Sequence, residues 1–436
     1  MTTTKPLDVE TYNAAEAAAA DRFPIRVNQA FFPEMFASVG YPARVERVDQ
    51  LWRYIDVMHE TRTTYNMDNL LHGLTAGEFE LFKDVTKLVD RHAATNFGRR
   101  AHATSALLRA LHVLRLIKLV TGDERPAVLE IGPGCGYLGM LLVMEGYPYI
   151  STDVAQAFYL YQNRMLLQVA KDLKELVIDD GDILTIETPK SGTAIHIPWW
   201  KWVTLTPDKI KLSAGIMTCN HCLCEMHPSS MGYLAAASSR ILANDPGGGK
   251  FVFDSWGFDL LHGEDTILAK FSEYGFRLCH NENAVSAMAL AENVKGWPVY
   301  GSTPTVSIMN IQLVRSAQTS EVVDAINKRP KLKRVLRSVV NRVPGLKQRL
   351  MRRVYPHIAA PAATIGGGSA ASVTSRIPDF KAANPLSRQL TEGRKSVAGQ
   401  ASIKLPEIQS FLKSYFDGQV PQHPDEVFFD LIGTKC

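Results

Sequence analysis

Between Cys219 and His227 the chain places three cysteines, two histidines and a glutamate in nine positions, CNHCLCEMH. Three chemistries can be built from those residue types. Thiolates and imidazoles bind zinc, but Cys219-x2-Cys222-x-Cys224 lacks the separated second pair of a structural zinc module. His221 and Glu225 stand four apart, so on a helical turn they share a face and could hold a divalent cation against two substrate hydroxyls. His227, at i+6, points away from that face, and Pro228 disfavours helical backbone at the residue before it. The third chemistry is proton transfer. An imidazole with an ordinary pKa near ~6.5 is a fitting general base at neutral pH. In that reading His221 takes the proton, Asn220 orients the acceptor or a cofactor with its amide, and Glu225 holds the imidazole tautomer. The cation is the weaker reading, and a purely structural His221 is the alternative to both. The cysteines read as small reduced hydrophobes around a strand end.

The elements that would position these groups follow from hydrophobic period. Residues 42–120 carry apolar residues at i, i+3, i+4 and i+7, as in VERVDQLWRYIDVM and TAGEFELFKDVTKLVDRHA, and read as helices. A long amphipathic helix, RRAHATSALLRALHVLRLIKLV, stops at Thr121-Gly122. Then PAVLEIGPGCGYLGMLLVMEG (126–146) reads as strand, glycine turn and helix, and the next strand ends at Asp153. LVIDDGDIL (176–184), AGIMTCN (214–220) and KFVFDSWG (250–257) are further strand candidates, with a helix SSMGYLAAASSRIL between the last two. FRLCHNENAVSAM and PTVSIMNIQLV look like a closing pair. Such alternation implies an α/β fold: a doubly wound, mostly parallel, Rossmann-like sheet. Asn220 and His221 would then emerge at the carboxyl end of a strand, where such sheets bind ligands.

The glycine turn is a nucleotide cradle. Gly134-x-Gly136-x-x-Gly139 fits the dinucleotide pattern, with the pyrophosphate on a helix N-terminus. Gly132-x-Gly134-x-Gly136 equally lets the backbone approach S-adenosylmethionine, since no Cβ intrudes. Asp153 suits the ribose hydroxyls of either cofactor. Glu130, two residues before Gly132, is the discriminating group, because a carboxylate there can hold the cationic amino group of a methionine moiety. A structural glycine turn with no ligand remains the plain alternative.

EIGPGCG with the Asp153 strand resembles the first two motifs of class I S-adenosylmethionine-dependent methyltransferases. More narrowly, HIPWWKW, CNHCLCEMHP and SSMGYLAAASSRIL look like bacterial sugar O-methyltransferases, over residues 95–315. The resemblance implies methyl transfer to a hydroxyl of a sugar or glycosylated natural product. It also implies an adenine contact from Asp182, in the turn after the third strand candidate. A phenolic, polyketide or peptide acceptor is the rival within enzymes, and a non-catalytic cofactor-binding scaffold the rival outside them. Trp199, Trp200 and Trp202 invite a carbohydrate platform, although aromatic residues are as often core. Tyr233 reads as a packing residue. Asp254 and Trp256, after the fifth strand, fall near the site in this topology.

Composition frames the rest. With 46% hydrophobic and 21% charged residues over 436 positions, the chain is ordinary for a globular protein with a sizeable core. The start lacks a basic, apolar leader, and no apolar run approaches the ~18 residues of a membrane span. Six sparse cysteines fit a reducing cytoplasm better than a disulfide framework. Residues 316–436 hold 19 Lys+Arg against 9 Asp+Glu, net +10, leaving −6 for residues 1–315. The expected organisation is a helical cap (1–122), a cofactor-binding core (123–316), basic amphipathic helices (317–358), a flexible linker (359–400) and a C-terminal helical segment (401–436). The basic stretch 328–353 suits an acidic surface of its own chain, a homodimer partner, or the anionic inner face of a membrane. One aromatic, Tyr355, and no recognised module leave nucleic acid without a reader. On this organisation, deleting residues 321–436 should leave cofactor binding intact.

Overall fold

The computed structural model describes residues 5–20, 44–56, 62–70, 72–177, 188–202, 214–220, 222–223, 226, 228–243, 249–254, 264–282, 285–290 and 385–421. Helix α1 spans Val9–Ala20, followed by a 3₁₀ turn at Val48–Tyr54 and by α2 at Arg62–Asn69, α3 at Ala76–Phe97 and α4 at Thr104–Thr121. Helix α3 is punctuated by its own sequence. Thr75 and Glu78 form a reciprocal capping box at its start, and Gly98, at φ 65°, closes it. Glu78 also ties this helix to the next. Arg115 of α4 grips its carboxylate at 2.7 and 2.6 Å and donates to the carbonyls of Leu70 and Gly73. That buried pair locks the helical layer together.

The core then alternates: β1 (Val128–Ile131), α5 (Tyr137–Met144), β2 (Tyr149–Asp153), α6 (Gln156–Val169), β3 (Leu173–Glu175), β4 (Ala194–Pro198), the single turn α7 (Trp199–Trp202), β5 (Ile216–Asn220), α8 (Pro228–Ala243), β6 (Lys250–Asp254), α9 (Glu264–Ser272), β7 (Phe276–Glu282) and β8 (Val285–Leu290). The eight strands form one sheet in the order β3-β4-β2-β1-β5-β6-β8-β7. All pairs are parallel except those of β8, which runs antiparallel to both β6 and β7. Every residue of β1, β2 and β4 is buried, as expected of parallel strands covered on both faces. The doubly wound α/β fold read from the sequence is the fold observed.

Two strand assignments change. The strand beside β2 is Ala194–Pro198, paired from Tyr149↔Ala194 to Asp153↔Pro198, and the HIP of HIPWWKW belongs to it. The candidate at 176–184 contributes no strand among its described residues; a short strand precedes it at Leu173–Glu175. A brief apolar run such as LVIDDGDIL is ambiguous by pattern alone. The closing pair is likewise a hairpin within residues 276–290, and PTVSIMNIQLV lies outside the described residues.

Beyond the core, α10 (Pro385–Gln400) and α11 (Leu405–Tyr415) complete the described helices. Helix α10 occupies the end of the stretch expected as flexible linker, 359–400, and the basic segment 317–358 lies outside the described residues. Both C-terminal helices dock on the N-terminal helices. Leu74 and Ile403 exchange backbone hydrogen bonds at 2.8 and 3.0 Å. Phe411 meets Phe79 and Phe82 edge-on. Tyr415 donates to Asp90, and Gln389 to the carbonyl of Leu119. The helices approach closely at Gly393, where a Cβ would sit 2.5 Å from the Leu119 Cδ2 methyl and oblige that side chain to shift. Among the described residues no helix is long and apolar enough to cross a membrane.

Candidate functional site

In the observed strand order the chain leaves β1 toward β2 and later returns to β5 on the other side of β1. That switch point, outside the carboxyl ends of the strands, is where doubly wound sheets bind ligands. Glu130 on β1 and Asn220 at the end of β5 straddle it, and Asp153 ends β2.

The glycine turn between β1 and α5 has the backbone its composition implies. Gly132, Gly134 and Gly136 all adopt positive φ, at 64°, 60° and 78°, a region costly for residues with a Cβ. Nothing lies within 4 Å of a Cβ position at Gly134, so its face is open. At Gly132 a Cβ would lie 2.3 Å from Cys222 Sγ, whose thiol points at the Gly132 carbonyl at 3.4 Å. Gly132→Ala should therefore destabilise by more than the ~1–2 kcal/mol of a left-handed residue alone. Adding Cys222→Ala should recover the steric part only. Denaturant unfolding of both variants checks this, and an unchanged midpoint for Gly132→Ala refutes it. The last glycine of the motif, Gly139, has a packing reason instead: a Cβ there would lie 2.5 Å from the Tyr149 ring.

That ring bears on the state of Glu130. Tyr149 passes beneath Gly139 and donates to Glu130 Oε2 at 2.6 Å, and Asn220 Nδ2 donates to Oε1 at 3.3 Å and to Thr218 Oγ1 at 3.0 Å. Two of roughly four carboxylate acceptor positions are thus used, leaving two for a ligand. Burial pushes the Glu130 carboxyl up to about 7, against the pull of those two hydrogen bonds. The sign of the linkage follows. A folded pKa above the unfolded 4.5 favours the protonated fold, so stability is full below 4.5 and is lost as pH rises to about 7. The loss is roughly 3 kcal/mol, at about 1.4 kcal/mol per pKa unit. Glu130→Gln cannot ionise, so its stability relative to the parent should climb over that window and level off above it. Melting the two proteins across the pH range tests this; a constant difference would show that Glu130 does not titrate there.

Asp153 is held on three sides. Its Oδ2 accepts from Gly134 N at 3.3 Å and Gln162 Nε2 at 2.8 Å, and its Oδ1 from Ala155 N at 2.9 Å. Burial raises its pKa, and these bonds oppose the rise. Glu130, Gly132, Gly134, Gly136, Asp153 and Asn220 are therefore gathered at one end of the sheet. His221, Glu225 and Asp182 lie outside the described residues, as do Cys224, His227 and Trp256. The observed strand beside β2 runs into Trp199. Among the described residues no three His, Cys, Asp or Glu side chains are grouped so that they could hold a metal ion.

The tryptophans are corrected. Trp199, Trp200 and Trp202 are 1%, 5% and 4% exposed and belong to the hydrophobic core. Trp199 donates its indole N–H to Glu16 of α1 at 2.7 Å, and Trp200 meets Tyr12 edge-on. The carbonyl of Trp202 accepts from the Tyr233 hydroxyl. Helix α1 covers this end of the sheet, so the indoles pack beneath it and form no open platform. Tyr149, Gln162 and His196, which contact the acidic residues of the site or relay to them, carry no sequence signal.

No protein-family model matches the chain, and no curated protein matches it in sequence. Among solved structures it is similar to magnesium protoporphyrin IX methyltransferase (ChlM) from Synechocystis PCC 6803 with bound SAM. The identity is 11% over 48% of this chain and 97% of that one, with a TM-score of 0.28. The glycopeptide N-methyltransferase MtfA matches at 11% identity over 42% and 89% of the two chains, TM-score 0.29. A SAM-dependent methyltransferase from Methanosarcina mazei matches at 12% over 40% and 96%, TM-score 0.26. By its sheet order and its antiparallel β8, the chain has the doubly wound, Rossmann-like fold of class I methyltransferases.

Proposed function

We propose that this chain is an S-adenosylmethionine-dependent O-methyltransferase acting on a hydroxyl of a sugar or glycosylated natural product. The observation that carries the cofactor is the buried Glu130 carboxylate, with acceptor capacity to spare, beside three positive-φ glycines at the switch point. Glu130 would hold the methionine amino group, Gly132, Gly134 and Gly136 would let the backbone approach, and Asp153 would accept from the ribose. The bound cofactor supplies an electrophilic methyl group. For the acceptor, His221 would take the hydroxyl proton, with Asn220 and Glu225 assisting. With the tryptophans in the core, the sugar class rests on the resemblance of HIPWWKW and CNHCLCEMHP. The basic segment 328–353 remains a candidate contact for an acidic protein surface or an anionic membrane.

Titration calorimetry tests the reading at its base. S-adenosylhomocysteine should bind and NAD should not; NAD affinity with none for S-adenosylhomocysteine overturns it. Asp153→Ala should weaken S-adenosylhomocysteine by roughly 1.5–3 kcal/mol, the range for a hydrogen bond to a charged group. Mass spectrometry after incubation with labelled cofactor and a panel of nucleotide sugars then identifies the acceptor.

A further inference from the structure

Gln162, on α6, is buried, and its amide joins three parts of the fold. Its nitrogen lies 2.8 Å from both Asp153 Oδ2 and the Gly134 carbonyl, and its oxygen lies 3.1 Å from His196 Nε2. The two nitrogen contacts fix the amide's orientation. A carbonyl only accepts, and Asp153 Oδ2 already accepts from Gly134 N–H, so an NH₂ group must face them. The amide oxygen therefore faces His196, and Nε2 must carry a proton.

The other side of the imidazole completes the constraint. His196 Nδ1 lies 3.0 Å from Glu175 Oε2, which also accepts from Asn163 at 2.8 Å. Glu175 Oε1 accepts from Val177 N and from the Tyr159 hydroxyl, whose ring stacks on His196 at 3.6 Å. One proton is shared between Nδ1 and Oε2, and Nε2 keeps its own. Both side chains are fully buried, so water offers no alternative partner. A relay from Glu175 through His196 to Gln162 thus holds one of the two Asp153 oxygens.

Counting lone pairs on Asp153 gives the consequence. A carboxylate offers about four acceptor positions. Gln162, Gly134 and Ala155 occupy three, leaving a single position on Oδ1. We infer that Gln162, fixed by His196 and Glu175, is a positioning residue that limits Asp153 to one ribose hydroxyl of the bound adenosyl cofactor. This narrows the expectation that Asp153 takes both hydroxyls, and it rests on the cofactor reading above.

The test compares S-adenosylhomocysteine with its 2′-deoxy and 3′-deoxy forms, by calorimetry, on the full chain and on Gln162→Met. In the parent, one deoxy form should bind about tenfold or more weaker than the other, since only one hydroxyl loses a bond to a charged acceptor. In Gln162→Met, with near-UV circular dichroism unchanged, Oδ2 is released and that ratio should shrink to about threefold or less. A parent ratio near one, or a ratio unchanged by Gln162→Met, overturns the inference. Failure of the parent to bind S-adenosylhomocysteine overturns the cofactor reading as well. Should Gln162→Met not fold, nitrogen-15 NMR of the parent decides. The His196 ring, identified by its contacts to Tyr159, should carry a proton on Nε2 facing the Gln162 amide oxygen, and a bare Nε2 refutes the relay.

Discussion

A chain ending at Asn384 is expected to lose its cooperative melting transition, or to melt at least ~10 °C below the full-length protein. The removed segment buries Leu390, Ile408, Leu412 and Phe416. At roughly 1.5–3 kcal/mol per buried apolar side chain, their gross contribution is on the order of 6–12 kcal/mol. That is comparable to the whole stability of a typical domain, about 5–15 kcal/mol. The segment's ordering entropy offsets part of it, but the cut also uncovers Phe79 and Phe82 on α3 and frees the backbone of Leu74. The position of the glycine loop far upstream suggests that 321–436 could be removed without consequence for cofactor binding. The structure points the other way, because α10 and α11 seal the helical layer that packs on the sheet. Equal melting temperatures for the two chains would refute this account. Neutralising the eleven Lys and Arg residues between Lys328 and Arg353 leaves those contacts in place and should not reproduce the loss.

Replacing His221 by alanine should cut turnover by about 10²–10⁴-fold, the usual contribution of a positioned acid–base group. Affinity for S-adenosylhomocysteine should change little. An acceptor hydroxyl must lose its proton as its oxygen attacks the methyl carbon, and a neutral imidazole is the natural base near pH 7. His221 directly follows Asn220, whose amide reaches the Glu130 carboxylate across the switch point. The split between turnover and binding is what separates a base from a structural histidine, which would move both through stability. Turnover within a few-fold of the parent would remove His221 from the chemistry. Activity lost in a chelator and restored by Mg²⁺ would reassign His221 and Glu225 to a cation.

Where the candidate site was legible in the sequence, the physics was local. The turn from Glu130 to Gly136 is contiguous, and its three positive φ angles need glycine whatever the rest of the chain does. Asp153 and Asn220 were placed by strand ends, and a buried parallel sheet follows from short apolar runs alternating with helices. The rest was decided by contacts between residues far apart in the chain, to which no local period is sensitive. Glu130 ionises near 7 because the closed sheet removes its carboxyl from water, leaving Tyr149 and Asn220, on two other strands, as its hydrogen-bond donors. The tryptophans became core because Glu16, 183 residues earlier, takes the indole N–H of Trp199 and α1 covers the sheet end. The C-terminal helices dock on the N-terminal layer through partners far away in sequence, Leu74 with Ile403 and Phe79 and Phe82 with Phe411. Gln162 looks like any polar residue of an amphipathic helix until the fold sets Asp153, Gly134 and His196 around its amide. Local backbone chemistry is written in neighbouring residues, but burial and partnership exist only once the chain has closed on itself.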